Sequence, residues 1–238
     1  MIPVLPLLAA VLLGNGGLPE RAPKAVGMSA QRLAAIDRVI KRGMTAGGFP
    51  GAAVVIGRRG AAVVRRGYGR LGWTSNYDDV DPDKTIYDLA SLTKVIGTTT
   101  AVMILFDEGK IGLDDPISKY VPAFAGGEKD NVTVRMLLEH RSGLPAGRDL
   151  WRIANTPADA KFAVITTDLA CKPGDCYVYS DLGADLLAWV AESAAGEQID
   201  QFLHRRVFEP LGMTSTMYRP DLALATRVAP TEVTPPRG

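Results

Sequence analysis

Histidine and cysteine are scarce in this 238-residue chain, two of each, and neither sign of charge prevails: 27 Lys and Arg face 26 Asp and Glu, a formal net charge of +1. Each shortage removes a class of function. A zinc site of nitrogen and sulfur ligands needs three or four of them in one neighbourhood, so no such metal centre is expected. Balanced charge leaves no broad basic surface, which argues against nucleic acid as a partner and against a charged membrane as one. Histidine-dependent catalysis has only His140 and His204 to draw on. The hydrophobic fraction of 47% is by contrast that of an ordinary globular protein, and the length suits one large domain or two modest ones.

Long apolar runs are also few. Met1 to Gly14 is apolar throughout, yet about a dozen residues fall short of the roughly 20 that span a bilayer, and Pro3 and Pro6 weaken a helix. The length suits the core of an export signal, although the positively charged leading segment is missing. Residues 1–20 therefore read as a hydrophobic N-terminal segment. As a signal it would send the protein to the periplasm or outside, with membrane contact only if uncleaved; as a simple tail it would leave the protein cytoplasmic. Cys171 and Cys176 flank the turn sequence Lys172-Pro173-Gly174-Asp175. A disulfide there would stabilise by about 2 kcal/mol and suit export, while two reduced thiols are the other reading.

The pattern along the chain is helix, hairpin, then a helical block, an α+β fold class. Ser29 opens a helical pattern with Leu33, Ile36 and Ile40 on one face and a stop at Gly43. Residues 52–57 and 61–64 are β-prone runs around Arg58-Arg59-Gly60, a hairpin. A lone hairpin is marginal in water, so its sheet needs further strands, and none is evident before Gly238. Residues 73–84 are polar, Asp-rich and aperiodic, which makes them a loop. Helices are expected from Ser91 to Glu108, from a Thr133 cap through Leu138 towards Gly143, and from Thr156-Pro157-Ala158-Asp159 with Phe162, Ile165 and Leu169 as buried stripe. Two more run over 182–195 and 199–208. The domain reading is 25–90 for the helix-and-hairpin part, 91–220 for the helical region and 221–238 for a tail.

Several motif spellings fail on context. Gly67-Tyr68-Gly69-Arg70-Leu71-Gly72 matches a dinucleotide-binding pattern, but Trp73 onward opens a loop where the motif needs a helix N-terminus, so it reads as a strand-end turn. Residues 79–90 begin like a calcium loop, yet Lys84 and Ala90 stand where Gly and Glu are required. No Gly-x-Ser-x-Gly elbow occurs. His140 reads as a structural residue near the last carbonyls of its helix, and His204, beside Arg205 and Arg206, as a surface one. Asn131-Val132-Thr133, a glycosylation spelling, reads as a helix start.

Ser91-Leu92-Thr93-Lys94 is different. A spacing of three puts both side chains on one helical face, so the amine can reach the hydroxyl at a helix N-terminus that favours a developing alkoxide. Tyr179-Ser180-Asp181, after the Pro173-Gly174 turn, supplies a phenol. Serine, amine and phenol make a nucleophile with proton-handling partners that need no histidine and no cofactor.

Residues 87–94 (YDLASLTK), 108–116 (EGKIGLDDP), 137–145 (LLEHRSGLP) and Pro173-Gly174 through Tyr179-Ser180-Asp181 together resemble the serine β-lactamase and penicillin-binding-protein superfamily, and within it the class C-like branch. The resemblance covers about residues 25–220. It implies a β-lactamase/transpeptidase-like fold and a small acyl substrate, whether β-lactam, peptide or ester. It also implies Ser91 as the acylated nucleophile, Lys94 as its activator and Tyr179 as a partner in proton transfer, with the Ser91 backbone N–H as an oxyanion donor. The alternative is a non-catalytic homologue that at most binds the substrate or is acylated by it.

Two departures qualify the likeness. Asp181 stands where the tyrosine motif usually has Asn; a carboxylate there favours the ammonium form of Lys94 and cannot donate to a substrate carbonyl. Weaker recognition of amide side chains is therefore expected, with a leaning towards ester or undetermined acyl substrates. The third motif, Lys-Thr-Gly or His-x-Gly, has no counterpart after Tyr179. The chain thus reads as the N-terminal and helical portion of such a hydrolase, without the strands that would complete its sheet.

Overall fold

The computed structural model describes residues 17–231; the apolar segment 1–14, and with it the export-signal reading, lies outside them. No helix among the described residues is long and apolar enough to cross a membrane. Two compact units divide the chain, residues 17–88 with 212–231 and Leu89–Leu211.

In the first unit, Ser29 caps α1 (Ala30–Leu33) by accepting a hydrogen bond from the Arg32 N–H, which satisfies one orphan donor of the first turn. α2 (Ala35–Thr45) runs through Gly43, where a stop was expected. A Cβ at Gly43 would lie 2.8 Å from the Phe49 ring, so this glycine makes room for an aromatic side chain instead of ending a helix. β1 (Gly51–Arg58) and β2 (Ala61–Gly69) pair antiparallel around Arg59 and Gly60. Both turn residues have positive φ, as the type I′ hairpin turn demands. Asp37 of α2 ties helix to sheet, accepting from the Tyr68 hydroxyl at 2.6 Å and the Arg66 guanidinium at 2.8 Å.

The edge of β2 away from β1 is partly covered by residues 19–21: the Arg21 N–H donates to Ala62 O and the Ala62 N–H to Pro19 O, each at 2.9 Å. Otherwise the sheet has two strands among the described residues. Residues 221–231, expected as a tail, return to this unit. They form a 3₁₀ turn (Leu222–Arg227), hydrogen-bond Ile86 on both sides of a parallel bridge, and bury Ala229 with Leu71 and Val80.

The second unit is helical. After a turn at residues 89–94 come a wide π-helical turn (Lys94–Thr99), α3 (Thr100–Asp107), α4 (Val134–Leu138), α5 (Leu150–Ile153), α6 (Pro157–Ile165), α7 (Asp181–Ala195) and α8 (Ile199–Leu203). α7 is central: α3, α4, α6 and α8 all pack on it. Its Leu182, Leu186, Leu187 and Val190 are buried with Val102 and Leu105 of α3, Val134 and Leu137 of α4, Val164 of α6 and Leu203 of α8. Truncating Leu186 to alanine would cost about 2–5 kcal/mol.

Three expectations are corrected here. The stretch from Ser91 to Glu108 is not one uniform α-helix. The Leu92 and Lys94 N–H groups make short i→i+3 bonds to Leu89 O and Ser91 O, and the chain then opens into the π turn, a device that inserts an extra residue without changing the apolar pattern. The Thr133-capped helix stops at Leu138, well before Gly143. α6 has the Thr156/Asp159 capping box its sequence spells, but Phe162 is 69% exposed and the buried pair is Val164 and Ile165. The helix ends at Ile165, so Leu169 falls beyond it and no stripe continuing from Phe162 can form.

Candidate active site

Ser91, Lys94, Tyr179 and Asp181 come together within the second unit. Ser91 sits in the turn at residues 89–94, directly after Ala90, whose φ of 45° is unusual for a residue with a side chain. The Lys94 ammonium donates to Ser91 Oγ at 3.1 Å and pairs with Asp181 Oδ1 at 2.7 Å. It also lies 5.0 Å from the centre of the Tyr179 ring. The Tyr179 hydroxyl is hydrogen-bonded with both Ser91 and Lys94. Lys94 is largely covered, whereas Ser91 and Tyr179 face solvent, so a reacting group can approach from the open side.

The electrostatics divide the proton-handling groups. Burial by itself would lower the Lys94 pKa, but hydrogen bonds to Asp181 and Tyr179, with their negative charge, outweigh it and hold the ammonium above its ordinary value. Tyr179 moves the other way. Hydrogen bonds with Ser91 and Lys94 and the ammonium's charge draw the phenol below its usual range, against burial and the charge of Asp181. Lys94 is thus a cationic donor at neutral pH, and Tyr179 is the group made easier to deprotonate.

The segment bearing Tyr179 is held by the loop after α4. His140 O accepts from Val178 N–H at 2.9 Å, Pro145 O from Ser180 Oγ at 2.7 Å, and Ala146 O from Asp181 N–H at 2.8 Å. Arg141 O accepts from Gly174 N–H at 2.8 Å. Gly143 is required by this fit: its φ is 83°, and a Cβ there would come within 2.2 Å of Cys171 O. Cys171 and Cys176 form a disulfide with Cα atoms 6.5 Å apart, the first of the two readings of the cysteine pair.

His140 is not a cap on its helix. Its Nδ1 accepts from Ser180 N–H at 3.2 Å, and its ring lies tilted against that of Tyr179 with centroids 4.5 Å apart. The signal that could have found it was its place in the LLEHRSGLP block in a chain with only two histidines. His204 is exposed, as expected. Asp185, one turn after Asp181 on α7, was not singled out; burial and the charge of Asp181 raise its carboxyl pKa, with Lys94 opposing. Among the described residues no group of three or more His, Cys, Asp or Glu side chains is placed to hold a metal ion.

A serine within reach of a lysine amine and a phenol is an arrangement in which a hydroxyl can be activated without a histidine. The Beta-lactamase family profile matches residues 36–238, and the chain belongs to this family of β-lactamase-fold serine hydrolases. It is 32% identical over 226 residues to an Escherichia coli K12 protein named "Putative D-alanyl-D-alanine carboxypeptidase", covering 85% of this chain and 51% of that one. Among solved structures, a class C beta-lactamase superposes with a TM-score of 0.73 at 22% identity, covering 84% of this chain and 54% of the other. EstCE1, described as a hydrolase with promiscuous acyltransferase activity, superposes with a TM-score of 0.62 at 26% identity, covering 76% of this chain and 52% of that one. The fold is accordingly β-lactamase/transpeptidase-like, and the chain spans about half the length of the curated relative it matches.

Proposed function

We propose that this chain carries the acylation site of a serine hydrolase acting on a small acyl compound, a β-lactam, peptide or ester. The observation that carries the reading is the three-way contact of Ser91, Lys94 and Tyr179. Ser91 Oγ adds to the acyl carbon while its proton passes to the Tyr179 oxygen, and the Lys94 ammonium stabilises the phenolate that accepts it. As the bond to the leaving nitrogen or oxygen breaks, Tyr179 returns the proton to that atom. Water then attacks the acyl carbon, gives its proton to Tyr179, and the Ser91 oxygen recovers it on release of the acid. Lys94 thus activates the serine through charge. Asp181, acceptor-only while ionised, cannot donate to a substrate amide, which supports esters over substrates recognised through an amide side chain.

A second reading, acyl binding without turnover, is favoured by the pairing of Lys94 with Asp181, which holds the amine as an ammonium and leaves proton acceptance to Tyr179 alone. Labelling by a fluorophosphonate or a fluorescent penicillin, compared with Ser91→Ala, tests the site. Ser91-dependent labelling with release of product supports the hydrolase, labelling without release supports the second reading, and folded protein that never labels through Ser91 rejects both roles for this serine.

A further inference from the structure

Ser180, between Tyr179 and Asp181, is fully buried, and each of its polar groups is engaged. Its Oγ donates to Pro145 O at 2.7 Å and accepts from Gly183 N–H at 3.0 Å; its own N–H donates to His140 Nδ1 at 3.2 Å. A buried N–H that loses its acceptor is costly, so the Tyr179 segment depends on this nitrogen. Nδ1 can accept only while it carries no proton, which requires a neutral ring with its hydrogen on Nε2. The backbone of His140 is itself left-handed, φ 56°, an uncommon conformation for a residue with a side chain, and the ring lies against Ser180 and Tyr179.

Resting on the reading of Ser91, Lys94 and Tyr179 as an acylation site, we propose that His140 is a positioning residue. Its unprotonated Nδ1 holds Tyr179 against Ser91 and Lys94, and protonation of the ring releases Tyr179 and switches acylation off at acid pH. Four titratable groups face the ring from the elements around it: Lys94 from the π turn, Tyr177 at 6.3 Å between ring centres, Tyr179, and Asp181 at the start of α7. Glu139 next to it is exposed, and the Arg141 guanidinium is turned to Gly174 O. Burial, then the charge of Lys94, lowers the His140 pKa, with Asp181 opposing. The neutral ring therefore persists through neutral pH. The support it gives Tyr179 is present above the ordinary histidine value and lost as pH falls through the lowered one.

Nitrogen NMR of His140 over a pH series, run beside the rate of Ser91 labelling by a fluorescent penicillin or fluorophosphonate, tests this in wild type, His140→Asn and His140→Phe. Asparagine keeps a nearby acceptor, does not titrate and tolerates the left-handed backbone; phenylalanine keeps a ring and loses the acceptor. The expected results are Nδ1 without a proton at neutral pH, Ser180 amide and Tyr179 ring signals that move as Nδ1 protonates, and wild-type labelling that falls with the same midpoint. His140→Asn labels within about threefold of wild type at neutral pH and lacks that acid limb, whereas His140→Phe labels at least about tenfold more slowly. A protonated Nδ1 at neutral pH overturns the proposal, as does an acid limb that survives unchanged in His140→Asn. Should the phenylalanine variant not fold, the asparagine variant and the wild-type spectra decide. Absence of Ser91-dependent labelling at every pH rejects the acylation reading, and the Tyr179 and Ser180 signals then still decide whether His140 positions the segment.

Discussion

Replacing Asp181 by Asn removes the carboxylate 2.7 Å from the Lys94 ammonium and keeps the backbone hydrogen bond from its N–H to Ala146 O. The Asp181 side chain is 65% exposed and that of Lys94 only 21%. Exposed ion pairs are worth about 0.2–1 kcal/mol, and the shelter on the lysine side places this one near the top, about 1 kcal/mol. That corresponds to about a fivefold change in an equilibrium constant. With Asp181 neutral, the Lys94 pKa falls, because a cause that raised it is gone, and the Tyr179 pKa falls further, because a repelling charge is gone. The second change raises the fraction of Tyr179 phenolate that can accept the Ser91 proton while Lys94 remains cationic at neutral pH, so labelling at neutral pH should rise by up to about fivefold, and turnover of β-lactams should rise relative to esters. The assay is the labelling rate across the range where lysine and tyrosine titrate, with the Lys94 side chain followed by carbon NMR. At about 1 M salt, where screening acts within some 3 Å, the gap between variant and wild type should narrow. A Lys94 titration that does not move in the variant, or rates unchanged for every substrate, would refute the reasoning. Loss of an acid from the first turn of α7 should also cost about 0.3–1 kcal/mol in stability, which a melting curve separates from the rate effect.

Other outcomes follow from the scaffold. Gly143→Ala should destabilise by about 3 kcal/mol or more, because a Cβ at positive φ meets Cys171 O; a melting temperature within a degree or two of wild type would contradict this. Reducing the Cys171–Cys176 bridge, or replacing both residues by serine, should cost about 2 kcal/mol by denaturant titration, the value for so short a closed loop. Asp115 is held at about 2 by hydrogen bonds from Lys119 and Tyr120, with the Gly112 N–H also bound. A depressed carboxyl stabilises above its unfolded pKa and loses that contribution as pH falls towards the folded one. Asp115→Asn should therefore lower stability by about 1 kcal/mol at neutral pH and by little at about pH 2, and an equal loss at both would refute the assignment.

Local chemistry was the legible part of the sequence. Three-residue spacing brought Lys94 to Ser91, the Thr156 capping box began α6 where it was spelled, and the Arg59-Gly60 pair turned the hairpin. Tyr179 was legible only through its company, since nothing within its own segment shows which serine lies 88 positions away. What stayed hidden depended on distant partners or on backbone register. His140 looked like the end of a helix because its acceptor role is defined by an amide 40 residues on. Phe162 looked buried because periodicity assumes a helix that continues, and this one stops three residues later. The π turn left no trace because a stretch read as apolar on one side from Ser91 to Glu108 does not say how the helix is wound.

That π turn separates two ends of one helix that answer to different constraints. Lys94, at its start, is fixed by Ser91 and Asp181, while Ala101, Val102 and Leu105 beyond it are fixed by the core. A π turn holds one residue more than the α-helix it interrupts, so deleting a single residue between 95 and 99 would let the segment rewind as ordinary α-helix with Lys94 and the core face still in phase, whereas inserting one would turn the site by about 100° relative to the core. Length in this stretch is therefore as much a determinant of the chemistry as composition. Substitutions at its exposed Val95 should be silent, whereas a one-residue insertion beside it should leave a folded protein with the serine and the phenol out of phase.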